Sequence, residues 1–300
     1  MPRLFPTPGH PNIVIAATGV GASKPFSALV TDCIPNLHMH DTGQCFPLYW
    51  YEKVDAADKP GSGNDIFAER PTPDAHGYIR HEAITEDALG AFRTHYADPA
   101  IGKEELFWYI YGILHAPDYR ERFASDLKKM LPRIPYAGDF WTFSRAGRAL
   151  GDWHLHYETV EPYPLVEDAP EPLTGADYRV TKMAFGKRDG KPDKTTIIYN
   201  AHLTLRGIPL EAYDYVVNGK SAIEWVMERY AMTVDKDSQI RNDANDWRGD
   251  EDPRHIVDLV KRVVRVSVET VKMLSTIPII DDIALSGDRD TTNAQKWSHS

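Results

Sequence analysis

The sequence predicts an α+β fold, with a mixed β-sheet lobe that carries a helical hairpin, followed by a lobe of a β-hairpin and helices. Three observations predict it. Phe107 to Tyr136 carries apolar residues at three- and four-residue spacing, interrupted at Pro117. Short β-branched runs lie on both sides of that stretch. Glu161 to Asp177 is rich in proline and acid, and the periodicity changes beyond it. The expected division is 1–160 for the first lobe, 161–177 for a linker, 178–280 for the second lobe and 281–300 for a polar tail.

In the first lobe, Asn12 to Gly19 is apolar and ends in glycine, as a strand does. Gly19 to Lys24 is a loop, and Phe26 to Thr31 a second strand. Cys45 to Tyr51 is a third, with Pro47 marking an edge or bulge. Lys59 to Asn64 and the stretch from Arg70 read as loops. Thr85 caps a helix to Tyr96. Leu106, Ile110, Ile113 and Leu114 then share one helical face, which Pro117 ends. Asp118 is placed to cap a second helix with Glu121 as reciprocal partner, and Tyr119, Phe123, Leu127, Met130 and Leu131 form its stripe. Pro132 and Pro135 stop it, and Arg145 to Tyr157 holds one more helix.

In the second lobe, Arg179 to Phe185 alternates, Gly186 to Lys191 turns, and Thr195 to Tyr199 is strongly β-forming. That predicts a hairpin with a basic tip. His202 to Ile208 is a third strand. Ser221 and Glu224 form a capping box before Ile223, Val226, Met227 and Tyr230. Pro253 opens a last helix with a broad apolar side from Ile256 to Val271, and Ser286 to Ser300 is polar.

The 300 residues suffice for a sizeable core, and no apolar run approaches the roughly 18 residues of a membrane span. Without a secretory start the expected location is intracellular, in the cytoplasm, with no membrane partner. Cys33 and Cys45 read as buried thiols. The net charge of −10 opposes a free-standing DNA binder. Charge is segregated, however. Glu161 to Asp177 holds five acids and no Lys or Arg, whereas Tyr178 to Lys194 holds six bases against Asp189 and Asp193. A polyanion feels the local patch.

Several stretches carry a resemblance: YGILHAPDYRERFASDLKKMLPRIP, TGVGASKPFSALVTDCIPNL with QCFPLYWYE, YRVTKMAFGK with KTTIIYN, YDYVVNGKSAIEWVMERY, and NDANDW with DPRHIVDLVKRVVRVSVETVKML. Together, and in this order, they resemble the C-terminal specificity region of type ISP restriction–modification enzymes and related adenine-methylating restriction enzymes. They cover most of the chain from Ile13 to Leu274. The resemblance implies a target recognition domain that reads double-stranded DNA. It would be the detached C-terminal part of an enzyme whose methyltransferase and ATPase/nuclease domains lie upstream. S-adenosylmethionine, ATP and Mg would belong to those domains, and none to this chain.

The candidate DNA-binding residues are Ser23, Lys24, Arg179, Lys182, Lys187, Arg188, Lys191 and Lys194. A two-stranded ribbon fits the major groove, where Lys and Arg reach phosphates or a guanine edge. A Lys-rich tip is equally what a solvated turn looks like. Asn200 and Asn218 have the chemistry of adenine readers and the composition of turn residues. Gly19 to Lys24 lacks the GxxxxGK[ST] spacing and suits a loop that approaches phosphate, or a plain turn.

No catalytic constellation is complete. The chain lacks the Asn-Pro-Pro-Tyr/Phe tetrapeptide with which, by the resemblance, the methyltransferase holds a flipped base. His38 with His40 and His154 with His156 supply two ligands each at most. Asp177 lies five residues before Lys182, without the (D/E)xK element of a nuclease. A metal-dependent nuclease or hydrolase built on the histidine pairs is the alternative function. A non-catalytic scaffold that docks the motor to the methyltransferase is another.

Overall fold

A computed structural model describes residues 2–36, 39–54, 72–170, 172–246 and 251–280. The chain divides into one unit of Met1–Gly151 with Ile277–Ser300 and a second of Asp152–Thr276. The expected loop at Lys59 to Asn64 and the polar tail from 281 lie outside the described residues.

The first unit begins with an antiparallel sheet of β1 (Val14–Ala17), β2 (Ala28–Thr31) and β3 (Gln44–Pro47), in the order β2-β1-β3. All four residues of β1 are buried, as a central apolar run requires. The expected strand from Cys45 to Tyr51 is in fact two strands. β4 (Tyr49–Lys53) leaves the sheet and pairs with β5 (Tyr78–Glu82). Pro47 has no N–H to extend a ladder, and the buried Leu48 turns the corner with its N–H on the Ile13 carbonyl at 2.8 Å. The Asn12 amide fixes that corner: it accepts from the Tyr49 N–H at 3.1 Å and donates to the Tyr49 carbonyl at 2.7 Å.

Among the described residues this unit also holds four helices: α1 (Glu86–Tyr96), α2 (Lys103–His115), α3 (Pro117–Arg122) and α4 (Phe140–Leu155), the last running on past Gly151. Thr85 caps α1 as expected, accepting from the Ala88 N–H at 3.2 Å. Helix α2 is apolar almost all round, with Leu106 to Tyr109 and Tyr111 to His115 buried, so it is a core helix and has no single apolar face. A Cβ on Gly112 would overlap the carbonyl oxygen of Phe143 in α4. The two backbones touch because the glycines let them.

The second half of the predicted helical hairpin is mostly not helical. Pro117 occupies the first turn of α3, where its missing N–H costs nothing, so it opens a helix as well as ending one. Asp118 makes no cap; its carboxylate pairs with Arg122 at 3.1 Å. From Phe123 the chain runs in turns. Tyr119 and Leu127 are buried, Phe123 is half-buried, and Met130 and Leu131 are exposed. Tertiary bonds from tyrosines override the periodicity. The Tyr119 hydroxyl donates to the Arg133 carbonyl at 2.9 Å, the Tyr109 hydroxyl donates to Pro135 at 2.7 Å, and the Tyr96 hydroxyl donates to Ala137 at 2.6 Å. These bonds hold the strap after α3, which has no regular secondary structure from Leu131 to Ala137.

The second unit is a four-stranded antiparallel sheet of β6 (Val166–Asp168), β7 (Ala184–Arg188), β8 (Lys191–Ile198) and β9 (Thr204–Arg206), in the order β6-β9-β8-β7. Two helices, α5 (Ala222–Arg229) and α6 (His255–Leu274), share its core. Ile197 and Leu205 from the sheet, with Tyr199 and Leu203 from the connection between β8 and β9, join Ile223 from α5 and Ile256, Leu259, Val260 and Val264 from α6 in one buried cluster. Ser221 and Glu224 form the expected capping box of α5. Two short ribbons also lie among the described residues of this unit. β10 (Val216–Val217) pairs with β11 (Lys220–Ser221), and β12 (Thr233–Val234) pairs with β13 (Arg241–Asn242).

The acidic stretch expected to be a linker is part of this unit. Strand β6 lies inside it, and Leu165 is buried. Glu167 receives Arg254 at 2.7 Å and Lys261 at 2.6 Å, which holds its carboxyl down at about 2. Partners more than 80 residues away absorb the charge that made the stretch look like a spacer. Among the described residues no helix is long and apolar enough to cross a membrane.

Candidate nucleic-acid interface

Strands β7 and β8 make the predicted basic ribbon, but its turn is tighter than Gly186 to Lys191. Only Asp189 and Gly190 lie between the strands, at φ 50° and 77°. Two positive φ values define the mirror-image turn whose twist matches a hairpin. Pairing sets Arg188 opposite Lys191 and Lys187 opposite Pro192. Directly opposed residues share a face and neighbours in a strand alternate, so Arg188 and Lys191 display on one face and Lys187 on the other. At the root of the ribbon Gly186 packs against Thr196, beside a break in register between Phe185 and Gly186.

The charges at the tip differ in how they are held. Arg188 is 71% exposed and pairs with Asp193 at 2.9 Å. Bonds from the Thr195 hydroxyl at 2.6 Å and its amide at 3.0 Å, with Arg188 beside them, hold the Asp193 carboxyl below the usual range. The guanidinium is thus aimed along one face of the ribbon yet stays in water. Lys187, Lys191 and Lys182 are exposed, with no hydrogen-bond or ion-pair partner among the described residues.

Two of the predicted residues are committed elsewhere. The Lys194 ammonium lies 3.1 Å from Glu224 and over the Tyr213 ring at 4.8 Å, and its carbonyl accepts the Tyr213 hydroxyl at 2.8 Å. Arg179 lies before the strand and pairs with Asp246 at 2.8 Å and Asp243 at 3.3 Å. Both acids lie more than 60 residues downstream, out of reach of a local reading. Asn200 is a turn residue: its amide donates to the carbonyls of Asp177 and Arg179 and accepts the N–H groups of His202 and Leu203. Asn218, at φ 51°, makes the turn between β10 and β11.

Ser23 and Lys24 lie in the first unit, on the loop from β1 to β2. The Asp41 carboxylate already receives the Ser23 amide at 2.6 Å and the Ser23 hydroxyl at 2.7 Å, with Lys24 beside it. Those bonds, the Ser23 hydroxyl first, lower the Asp41 carboxyl below its ordinary range. An internal anion therefore occupies the amides that sequence reasoning offered to phosphate, and the exposed Lys24 is what the loop presents. The glycine at position 19 is required there, since a Cβ would overlap the Thr42 carbonyl.

A further display escaped sequence reasoning. Lys236, Gln239, Ile240 and Arg241 stand exposed on the β12–β13 ribbon, whose strands of two residues are too short for periodicity to reveal. The only sequence signal is a turn pattern, Asp235 with Ser238 three residues on.

The described histidines of the two pairs make structural contacts. His154 is buried, 3.0 Å from the Thr270 hydroxyl and stacked on Tyr215, and His156 lies 2.9 Å from the Asp152 carbonyl. His40 lies 3.2 Å from the Ser27 hydroxyl, while His38 lies outside the described residues. Asp177 closes a capping box with Thr174. No group of three metal-ligating side chains is found among the described residues. The cysteines depart from expectation. Cys33 is exposed, with its thiol 3.3 Å from the Asp32 carboxylate; Cys45 is half-buried, and burial pushes its thiol pKa up.

The family described as Type ISP C-terminal specificity domain matches residues 1–259. A nuclease-deletion mutant of the type ISP restriction–modification enzyme LlaGI, in complex with a DNA substrate mimic, is 30% identical with a TM-score of 0.71, covering 92% of this chain and 18% of that one. The ATP-dependent type ISP enzyme LlaBIII bound to DNA is 28% identical with a TM-score of 0.75, covering 95% of this chain and 17% of that one. The DrdV–DNA complex is 35% identical with a TM-score of 0.75, covering 93% of this chain and 26% of that one. The chain thus spans no more than about a quarter of the chains it matches. No curated protein matches it.

Proposed function

Because the chain belongs to the Type ISP C-terminal specificity domain family, we propose that it is the part of a restriction–modification enzyme that reads double-stranded DNA. It acts without catalysing a reaction itself. A methyltransferase and an ATPase/nuclease elsewhere in the same enzyme supply the chemistry, and S-adenosylmethionine, ATP and Mg bind there. Specificity comes from holding the duplex in one register, so that the methyltransferase flips one chosen adenine. The enzyme works in the cytoplasm.

The observation that carries this reading is the β7–β8 ribbon. Its two-residue turn presents Lys187, Arg188 and Lys191 to solvent on a backbone that the sheet keeps rigid. Such a ribbon enters a major groove with little ordering cost. Lys187, Lys191 and Lys182 serve as phosphate contacts, which position, and Arg188 as a base contact, which specifies. Lys24 adds a charge from the first unit. Arg179 and Lys194 act through the fold, Arg179 by fixing the segment at Asp243 and Lys194 by fixing the root of the ribbon on α5. The net charge of −10 is no obstacle, because a polyanion feels the local patch, where Lys187, Arg188 and Lys191 stand against Asp189 and the paired Asp193.

Titration of a labelled duplex with the full chain at several salt concentrations tests the reading. Each phosphate contact removed should flatten the dependence of log affinity on log salt by about one unit. Lys187→Ala with Lys191→Ala should therefore flatten it by about two. An unchanged slope would make the tip an ordinary solvated turn.

A further inference from the structure

The β7–β8 ribbon holds an acid where a surface that meets DNA has reason to exclude one. Asp193 lies 2.9 Å from Arg188, and its side chain is only 13% exposed against 71% for the arginine. Its two carboxylate oxygens have different partners. Oδ1 accepts the Thr195 N–H at 3.0 Å and the Thr195 hydroxyl at 2.6 Å, which closes a turn within the strand. Oδ2 meets Nη2 of Arg188. The turn lies where pairing with β7 jumps from Ile197 opposite Phe185 to Asp193 opposite Gly186, so Lys194, Thr195 and Thr196 bulge out of that ladder. The Thr195 carbonyl accepts the amides of Gly207 and Ile208 at 3.0 and 3.1 Å, which ties the bulge to the chain beyond β9.

A turn of this kind takes Asn as well as Asp. It accounts for the shape of the side chain and leaves the charge unexplained, although a carboxylate works against binding a polyanion. The register shows what the charge does. Arg188 lies directly opposite Lys191, and like charges so placed repel. Asp193 follows Lys191 by two residues on the same face, so it draws the guanidinium away from the lysine and toward the root of the ribbon. It touches the fork at one nitrogen, and among the described residues Nε and Nη1 keep their N–H groups for a ligand. A phosphate has no donor to offer the carboxylate beside them, whereas the amino group of a cytosine has one.

Resting on the DNA-reading function above, we infer that Asp193 is the positioning residue of this ribbon, holding the Arg188 fork for a base edge and keeping it off the phosphates. Without that contact Arg188 is one more cation on a solvated tip, free to follow the backbone of any duplex. The carboxylate gives up general affinity and gains discrimination, since phosphate contacts carry no sequence information.

The test compares the full chain with Asp193→Asn, Arg188→Ala and the double variant. Selection from a random pool by the wild-type chain gives a motif, and each base pair of it is then varied singly in competition at fixed low salt. Arg188→Ala should lose preference at one base pair. Asp193→Asn should lose several-fold of the preference at that same pair while binding random duplex more tightly, with a melting temperature close to wild type because Asn keeps the turn. In the Arg188→Ala background the Asn substitution should cost no further preference. Wild-type preference in Asp193→Asn, or an added loss in the double variant, would reduce Asp193 to a turn former and leave DNA reading intact. A uniform loss of affinity in Arg188→Ala would also overturn the inference, by making Arg188 a phosphate contact. A wild-type chain that selects no motif would overturn both the inference and the function it rests on.

Discussion

A Cβ on Gly147 would overlap the carbonyl oxygen of Trp108, so α2 and α4 meet backbone to backbone at this point. Neither partner is the far end of a flexible side chain, and relief requires the helices to part. Gly147→Ala should cost about 3 kcal/mol or more. Gly138→Ala, with nothing within 4 Å of its Cβ, should change stability by less than about 0.5 kcal/mol. Urea denaturation of the two variants checks the contrast, and equal small losses would show that the crossing has slack.

The strap after α3 ties stability to Tyr119 more than to Phe123. Tyr119 is 1% exposed and its hydroxyl holds the Arg133 carbonyl, whereas Phe123 is half-buried. Tyr119→Ala should cost about 3–5 kcal/mol, as for other buried aromatics. Phe123→Ala should cost less, and Arg122→Ala under about 1 kcal/mol. If Phe123→Ala proved the costlier, the periodic stripe would describe the fold better than the tyrosine bonds do.

Acid should weaken the second unit through Glu167. Its carboxyl is held at about 2 by Arg254 and then Lys261, below the ordinary value of 4.5. A lowered folded-state pKa gives stability that is complete above the unfolded value and fades as pH falls through the folded one. The loss should therefore develop between pH about 4.5 and about 2. Glu167→Gln should be less stable than wild type at pH 7 and should lose less on acidification. Denaturation midpoints at pH 7 and pH 3 measure this, and parallel losses in both proteins would remove Glu167 as the cause.

Arg188 and Lys194 should separate specificity from stability. In the intact enzyme Arg188→Ala should relax preference at one base pair by about 1–3 kcal/mol, since its planar fork can grip a guanine edge twice. Lys194→Ala should lower the melting temperature instead, because its ammonium joins Glu224 and Tyr213. Competition between cognate and single-base variant duplexes at fixed salt reads the first, and calorimetry reads the second. A uniform loss of affinity in Arg188→Ala would make the ribbon a phosphate clamp.

What the sequence disclosed was local. Thr85 before α1 and Ser221 with Glu224 at α5 are legible because cap and helix lie within four residues. The ribbon of β7 and β8 is legible from its β-branched residues and its turn. The end of α3 is not, because hydroxyls on Tyr109 and Tyr96 fix the following segment from other helices. Nor is the true place of the acidic stretch, since the cations facing Glu167 come from α6. Arg179 and Lys194 looked like free charges for the same reason. Composition records that a charge exists, and only the fold records what it faces.

The two-residue turn at Asp189 and Gly190 fixes which side of the ribbon each charge occupies, because side-chain direction in a strand depends only on counting from the turn. One residue added between Gly190 and Lys191 would break the opposition of Arg188 and Lys191 or carry one of them to the other side. With a neutral residue the charge would be untouched, and what the ribbon offers a groove would be changed. Parity along the strand is therefore as much a determinant of recognition as the identity of its side chains.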